Sequence, residues 1–187
     1  MVKYRQTGND RIWKLGQQAA RRCSKNLTRE TETTQKALTA QQLNSILNCH
    51  PYYIGTFAEN QFSNITINQF PAFIIANVDS YHMKGSHWLA IGIFEKSLEI
   101  FDPLGFTIFN WNRIPCSLLN FLHRMSVTRK VIVSPRIQSA KSHMCGNYCV
   151  FYLLLRSLTR LRRIISYFYI VNSKLDRNDL LLSKFFK

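Results

Sequence analysis

The stretch HWLAIGIFEKSLEIFDPLG, residues 87–105, decides the fold class of this chain. It contains two short apolar runs, 87–94 and 98–101, which are separated by the three residues 95–97. Because so short a connection joins neighbouring antiparallel strands, the stretch predicts a β-hairpin. The turn at residues 102–105, Asp-Pro-Leu-Gly, then ends the second strand.

Further strands and helices are predicted on both sides of the hairpin. Residues 73–78 and 131–133 are short apolar runs rich in β-branched side chains, which is typical of strands. Helices are predicted from a Thr39–Gln42 capping box up to Pro51, over 112–125, from Cys145 onward and over the apolar patch 180–186. The predicted fold class is α+β, with a central, mostly antiparallel sheet flanked by helices.

The first part of the chain differs in composition from the rest. Residues 1–38 are polar and basic, and they predict an extension, flexible or partly helical, that lies outside the core. Within it, Ile12, Trp13 and Leu15 form a short apolar segment suited to docking. Residues 39–187 form the main predicted domain, which begins at the capping box.

The composition argues against exported and membrane-spanning proteins. No apolar run reaches the roughly 18 residues that cross a bilayer, because arginines interrupt the best candidate. The first residues contain no signal-peptide pattern. The five cysteines, an odd number, therefore predict a reducing compartment and mostly free thiols. Because Cys145-x3-Cys149 beside His143 has poor spacing for zinc ligands, no metal site is expected.

Charge is distributed unevenly along the chain. There are 25 Lys and Arg residues against 10 Asp and Glu, a net charge of +15 at pH 7, and no acidic residue occurs from 103 to 175. Such a segment favours contact with a polyanion, most simply nucleic-acid phosphates bound without sequence preference. A basic surface with no specific partner is the alternative. The predicted DNA contacts are Arg129, Lys130, Arg136, Arg156, Arg160, Arg162 and Arg163.

Three residues in this pattern can form a nucleophilic site. His87 opens the first hairpin strand and Asp102 closes the second, so the hairpin brings them side by side. Cys145 stands where a helix begins, and the unpaired N–H groups and positive dipole end there favour a thiolate. The pattern predicts a cysteine hydrolase in which Cys145 attacks, His87 transfers the proton and Asp102 orients the imidazole.

A fourth residue, Gln138, precedes Cys145 by seven positions in a polar loop. Its side-chain amide can donate a hydrogen bond to a developing oxyanion, with the Cys145 backbone N–H as a second donor. Each of these residues also has an ordinary structural interpretation: His87 as a core histidine, Asp102 as a turn residue and Cys145 as a small buried side chain. Spacing alone leaves both interpretations open.

The order of these motifs resembles a known family, the adenovirus-type cysteine endopeptidases or adenain family. Three motifs carry the resemblance: His87-Trp88, Phe101-Asp-Pro-Leu-Gly105 and Gln138-x6-Cys145-Gly146. Residues 51–57, PYYIGTF, resemble a further segment of the same family. The similarity covers roughly residues 40–187.

The resemblance implies the α+β fold that adenain shares with the ubiquitin-like-protein proteases. It also implies a catalytic triad of His87, Asp102 and Cys145, with Gln138 in the oxyanion hole. The extension 1–38 departs from the adenovirus enzymes, and it suits related proteins of Polinton-type transposons and adintovirus-like viruses better.

Substrates and partners follow from the same resemblance. Enzymes of this family cleave virion precursor polypeptides at small-residue, glycine-containing sites, and they use DNA and a short peptide as activators. The family holds this peptide through a cysteine in the strand region where this chain has residues 127–133, and Cys116 lies earlier. The expected protein is a monomer without a cofactor, located in the host nucleus or the virion.

Two other functions remain open from sequence. A protease that removes ubiquitin-like modifiers shares the fold and also favours glycine near the cut. A basic DNA-binding protein that keeps the fold without activity is the second alternative, and the intact catalytic motifs argue against it.

Overall fold

The computed structural model describes residues 11–24, 37–78, 87–105 and 114–186. Along the chain the helices and strands are α1 (Arg11–Ser24), α2 (Ala40–Leu47), β1 (Tyr53–Phe57), a 3-10 helix (Glu59–Asn64), β2 (Ala72–Asn77), β3 (Trp88–Ile93), β4 (Ser97–Phe101), α3 (Cys116–Ser126), β5 (Lys130–Val133), α4 (Cys145–Arg156), α5 (Leu161–Ile165), a second 3-10 helix (Asn172–Lys174) and α6 (Asp176–Phe185).

The strands form one mixed sheet in the order β1-β2-β3-β4-β5. The predicted hairpin is confirmed, because β3 and β4 are antiparallel and Ala90 pairs with Phe101. The expectation of a mostly antiparallel sheet is wrong: β2–β3 is also antiparallel, but β1–β2 and β4–β5 are parallel. Each outer pair is joined through a helical crossover, which returns the chain in its original direction. The fold class is α+β, as predicted.

The sheet carries a hydrophobic core on each face. Phe73 and Ala90 of one face belong to the cluster that includes α4, whose side chains from Tyr148 to Leu155 are all buried. Ile74 and Ile91 of the other face pack in a second cluster with α3. This sandwiching of α4 between the sheet and the outer helices fixes the position of its first residue, Cys145.

The predicted helices are present with adjusted boundaries. The capping box that opens α2 is confirmed, since the Gln42 N–H donates to Thr39 Oγ1 (3.2 Å) and the Thr39 N–H donates to Gln42 Oε1 (2.9 Å). The helix predicted over 112–125 begins at Cys116, and residues 112 and 113 lie outside the described part of the chain. The helix from Cys145 ends at Arg156, and a separate short helix, α5, follows it.

The first helix, α1, belongs to the core, although residues 1–38 were expected to lie outside it. The Trp13 ring lies 5.7 Å from Phe151 of α4 and 5.1 Å from Phe185 of α6, measured between ring centroids. Ala20 and Cys23 on the same helix are buried. The expectation is therefore wrong for this helix, because its apolar side chains fall on one face at helical spacing.

The docking role predicted for the apolar segment of α1 is confirmed for two of its three residues. Ile12 and Trp13 pack against the core, whereas Leu15 is 36% exposed. Residues 1–10 and 25–36 lie outside the described residues. The division of the chain at residue 39 stays a prediction.

Two cysteines are joined, which sequence did not predict. A disulfide connects Cys23, near the end of α1, to Cys49, just after α2. Cys116, Cys145 and Cys149 are free thiols. The expectation of mostly free thiols holds for these three and is wrong for the other two, because the packing of α1 brings Cys23 beside Cys49 although they are 26 positions apart in the sequence.

Candidate active site

The β3–β4 hairpin brings His87 and Asp102 together at one end of the sheet. His87 immediately precedes β3 and Asp102 immediately follows β4, so the antiparallel register makes them neighbours. The distance between His87 Nε2 and Asp102 Oδ1 is 2.7 Å, and both side chains are buried. The predicted neighbourhood of these two residues is confirmed, and the short contact is that of a charge-assisted hydrogen bond.

Backbone groups of its own turn fix the Asp102 carboxylate. Its Oδ1 accepts the N–H groups of Leu104 and Gly105, both at 3.1 Å. Gly105 has φ +68°, and a Cβ there would lie 2.9 Å from Cβ of Arg136, so the turn requires glycine. These bonds hold the carboxylate in a single orientation towards the imidazole.

Ser134, a residue that sequence reasoning missed, supports this turn. Ser134 Oγ accepts the Asp102 N–H at 2.9 Å and donates to the Asp102 carbonyl at 3.2 Å. The N–H groups of Ile137 and Gln138 both donate to the carbonyl of Pro103, at 2.9 and 2.8 Å. The segment after β5 is therefore tied to the Asp102 turn. No sequence signal identifies Ser134, because it follows the strand as an ordinary polar residue.

Cys145 is the first residue of α4, and its thiol lies close enough to His87 to raise the pKa of the imidazole. The thiol is nearly buried, with 6% of the residue exposed. No side chain caps this helix, so its first N–H groups and the positive end of its dipole are directed at the thiol region. Because His87 Nε2 is held by Asp102, Nδ1 is the nitrogen left to contact the thiol. The structure brings together all three residues of the predicted triad.

The protonated form of His87 is favoured in this setting. Burial lowers the pKa of His87, but the hydrogen bond to Asp102, the neighbouring Cys145 thiol and the charges of these two groups outweigh it, raising the pKa to about 9. A thiol beside a protonated imidazole that a carboxylate holds in place can act as a nucleophile, with the imidazole as the proton donor.

Gln138 lies in the loop before α4 and is fully buried. Its Nε2 donates to the Ser142 carbonyl at 2.9 Å and to Ser142 Oγ at 3.2 Å, and the Met144 N–H also donates to Ser142 Oγ at 3.2 Å. Gln138 Oε1 is buried and makes no hydrogen bond within the described part of the chain. The amide thus braces the loop that leads into Cys145, with the Nε2 end directed towards that loop.

Leu38 is a second contributor that sequence reasoning missed. The Trp88 indole N–H donates to the Leu38 carbonyl at 2.9 Å. A Cβ added to Gly146 would lie 3.1 Å from Leu38 Cβ and 3.4 Å from Trp88 Cδ1. The residue after Cys145 is therefore in tight contact with the chain just before α2. This close packing explains why a glycine follows Cys145 in the motif.

Three of the seven predicted DNA contacts are engaged within the protein. The Arg156 guanidinium binds Glu99 through two bonds of 2.8 and 2.9 Å. Arg129 Nε donates to the Phe94 carbonyl at 2.7 Å, and Arg136 Nε donates to the Gln138 carbonyl at 3.1 Å. These arginines stabilise the backbone at the β3–β4 turn and in the loop beside the candidate site.

The other four predicted DNA contacts are exposed: Lys130, Arg160, Arg162 and Arg163. The Arg163 guanidinium also lies over the Tyr167 ring, 5.6 Å from its centroid. Arg160, Arg162 and Arg163 follow α4, whose first residue is Cys145 and whose last is Arg156. At 1.5 Å per residue, α4 separates its two ends by about 16 Å. The exposed arginines and the Cys145 thiol therefore lie at opposite ends of the same helix.

The described segments contain no cluster of three or more His, Cys, Asp or Glu side chains that could hold a metal ion. No helix in them is long and apolar enough to cross a membrane.

Comparison with known proteins finds a distant relative of this chain. No family model matches the chain. A curated protein named "Protease", from Human adenovirus A serotype 12, is 27% identical in an alignment 130 positions long that covers 60% of this chain. The matched region is 61% of the length of that protein. The match supports a distant relationship between this chain and an adenovirus protease.

Proposed function

We propose that this protein is a viral cysteine endopeptidase with Cys145 as nucleophile. The observation that carries the proposal is the buried His87–Asp102 pair, at 2.7 Å, beside a free thiol at the start of a helix. The distant relationship to an adenovirus protease supports the same reaction. A buried Cys-His-Asp set explains all three residues at once, whereas separate structural roles explain each of them only singly.

In the proposed first half-reaction, Cys145 Sγ attacks the carbonyl carbon of the scissile peptide. The imidazolium of His87 gives its proton to the amine nitrogen as the C–N bond breaks, which leaves a thioester on Cys145. A water molecule then loses a proton to neutral His87 and attacks the thioester. The C–S bond breaks, and the thiolate and imidazolium return.

The remaining residues act by position in this scheme. Asp102 holds Nε2 of the imidazole, so that Nδ1 faces the thiol. The N–H group of Cys145 and the Gln138 amide serve as donors to the oxyanion, and the bond from Gln138 Nε2 to Ser142 Oγ is the weaker one that substrate would replace. Gly146 and Trp88 keep the start of α4 close to Leu38.

The substrates proposed are virion precursor polypeptides cut at small-residue, glycine-containing sites, and the resemblance to the adenain family supports them. DNA bound without sequence preference is the proposed activator, supported by the net charge of +15 and by the exposed cations. An activating peptide belongs to the same proposal, and Cys116 is an exposed thiol. The proposal also includes an origin in a Polinton-type element or a related virus. It places the protein in the host nucleus or the virion.

The test is hydrolysis of a fluorogenic Gly-Gly or Gly-x peptide by the wild type and by Cys145→Ala, each with and without duplex DNA. Turnover that needs Cys145, rises with DNA and falls back in high salt is the expected result. Equal activity of both proteins would contradict the mechanism. Turnover that needs Cys145 but ignores DNA would keep the peptidase and remove DNA as its activator.

A further inference from the structure

An open cavity of about 860 Å³ lies at the end of α4 that is remote from Cys145. Its wall consists of Ile12 from α1 and of residues from the end of α4 through α5. Four of its lining residues are arginines: Arg156, Arg160, Arg162 and Arg163. No acidic side chain is among the lining residues.

The arginines divide into one that shapes the wall and three that supply charge. Arg156 is paired with Glu99 and donates through Nη1 to the Thr159 carbonyl at 3.0 Å, which fixes the turn after α4. Arg160, Arg162 and Arg163 are exposed and lie within four consecutive positions. Their like charges repel one another, so a multiply charged anion in the cavity would stabilise this end of the protein.

We propose that this cavity binds a compact polyphosphate, that is, an anion with two or more adjacent phosphate groups. One guanidinium group can bind two phosphate oxygens at once. Three guanidinium groups around one concave site therefore match several phosphate groups that lie close together. The volume is in the range of small-molecule sites, roughly 300–1,000 Å³. The phosphates of a duplex backbone are instead bound by cations that are spread along an extended surface. This inference goes beyond the proposed peptidase and does not rest on its activity.

Two sources supply this chemistry: a free polyphosphate, including the tail of a nucleotide, and the phosphorylated end of a nucleic-acid strand. Because Ile12 of α1 forms part of the wall, a bound polyphosphate would also join α1 to the turn after α4. Binding is therefore expected to raise the unfolding temperature.

The test uses the full chain carrying Cys145→Ala, so that peptidase activity plays no part, and titrates it with sodium tripolyphosphate by calorimetry at about 0.15 M ionic strength. The arginine variant is Arg160→Gln with Arg162→Gln. The matched control is Lys96→Gln with Lys184→Gln, which removes the same charge from exposed lysines outside the cavity lining. Thermal unfolding verifies that both variants fold.

One site is expected, with tripolyphosphate bound at least about tenfold more tightly than orthophosphate. The arginine variant should weaken binding about tenfold or more, and the lysine variant less than about twofold. Equal weakening by both variants, or equal affinity for orthophosphate, would overturn the proposal.

Competition identifies the source of the phosphates. Displacement of tripolyphosphate by a nucleoside triphosphate assigns a free polyphosphate, and displacement by an oligonucleotide with a 5′-triphosphate, but not by its 5′-hydroxyl form, assigns a strand end. Both results support the compact site. Equal displacement by a 5′-hydroxyl duplex would overturn it, because internal backbone phosphates would then suffice.

Discussion

Asp102 Oδ1 lies 2.7 Å from His87 Nε2, and the same oxygen accepts the N–H groups of Leu104 and Gly105. The carboxylate is thus held by its own turn and is the counter-charge of a buried imidazole. An isosteric amide keeps the turn bonds but removes the charge. The consequences of this pairing can be measured separately for catalysis and for stability.

Replacing Asp102 with Asn should lower the pKa of His87 from about 9 towards or below its ordinary value, because burial lowers it once the charge is absent. We expect kcat/KM to fall by roughly 10²–10⁴-fold while some activity remains. Peptide hydrolysis gives the rate, and NMR titration of His87 gives the pKa. An unchanged pKa would show that Asp102 does not set the protonation of His87.

Stability should depend on pH through His87. Its pKa is about 9 in the folded protein and 6.5 ordinarily, so the folded state binds more protons between these values. Protonation of His87 contributes on the order of 3 kcal/mol to the free energy of unfolding. This contribution is complete below pH 6.5 and is lost as the pH rises towards 9.

Urea unfolding at several pH values between 6 and 9 checks this dependence by comparing the wild type with His87→Ala. The free energy of unfolding of the wild type should fall more steeply with rising pH, while groups common to both proteins cancel. Parallel curves over this range would contradict the raised pKa.

The packing of α1 is tested by two neighbouring residues. Trp13→Ala removes an indole that lies against Phe151 and Phe185, and we expect a loss of about 2–4 kcal/mol in the free energy of unfolding. Leu15→Ala, on the exposed side of the same helix, should change it by less than about 0.5 kcal/mol. Equal small effects would mean that α1 is an independent extension, as its composition suggested.

Removal of the Cys23–Cys49 disulfide should also lower stability. Its cysteines are 26 positions apart, and the chain-entropy relation gives a loss of about 3.5 kcal/mol for a closed loop of that length. The measurement is urea unfolding of the Cys23→Ser/Cys49→Ser protein, with Cys116→Ser as the control that removes an exposed free thiol. A loss no larger than that of the control would contradict a stabilising role for the bond.

The sequence was most informative where local rules decide the structure. The hairpin follows from three connecting residues, and the start of α2 follows from the Thr39–Gln42 capping box. The meeting of His87 and Asp102 could be predicted because it depends only on hairpin register. That Cys145 joins them was an expectation from motif order, since its contact with His87 requires the crossover through α3 and β5.

The features that could not be predicted from the sequence are of a different kind. β1 is five residues long, contains Gly55 and is only partly buried, so it has no strong strand pattern. The polar composition of the first 38 residues concealed the apolar face of α1, and the Cys23–Cys49 bond depends on how that helix packs. Ser134 and Leu38 act through backbone groups and close contacts, for which a sequence offers no signal.

His87 is proposed to make Cys145 the reactive thiol of this protein. Site-resolved alkylation of the native protein at about pH 6 tests this role. Iodoacetamide labelling followed by mass spectrometry reports each cysteine separately. Cys116 is an exposed reference thiol. Cys149 is a buried reference thiol, and its burial raises its pKa. An ordinary thiol is almost wholly protonated at this pH.

We predict that Cys145 is labelled at least about tenfold faster than Cys116, and that His87→Ala abolishes this advantage. Labelling of Cys116 at the same rate or faster, or an advantage of Cys145 that survives the loss of His87, would contradict the proposed nucleophile.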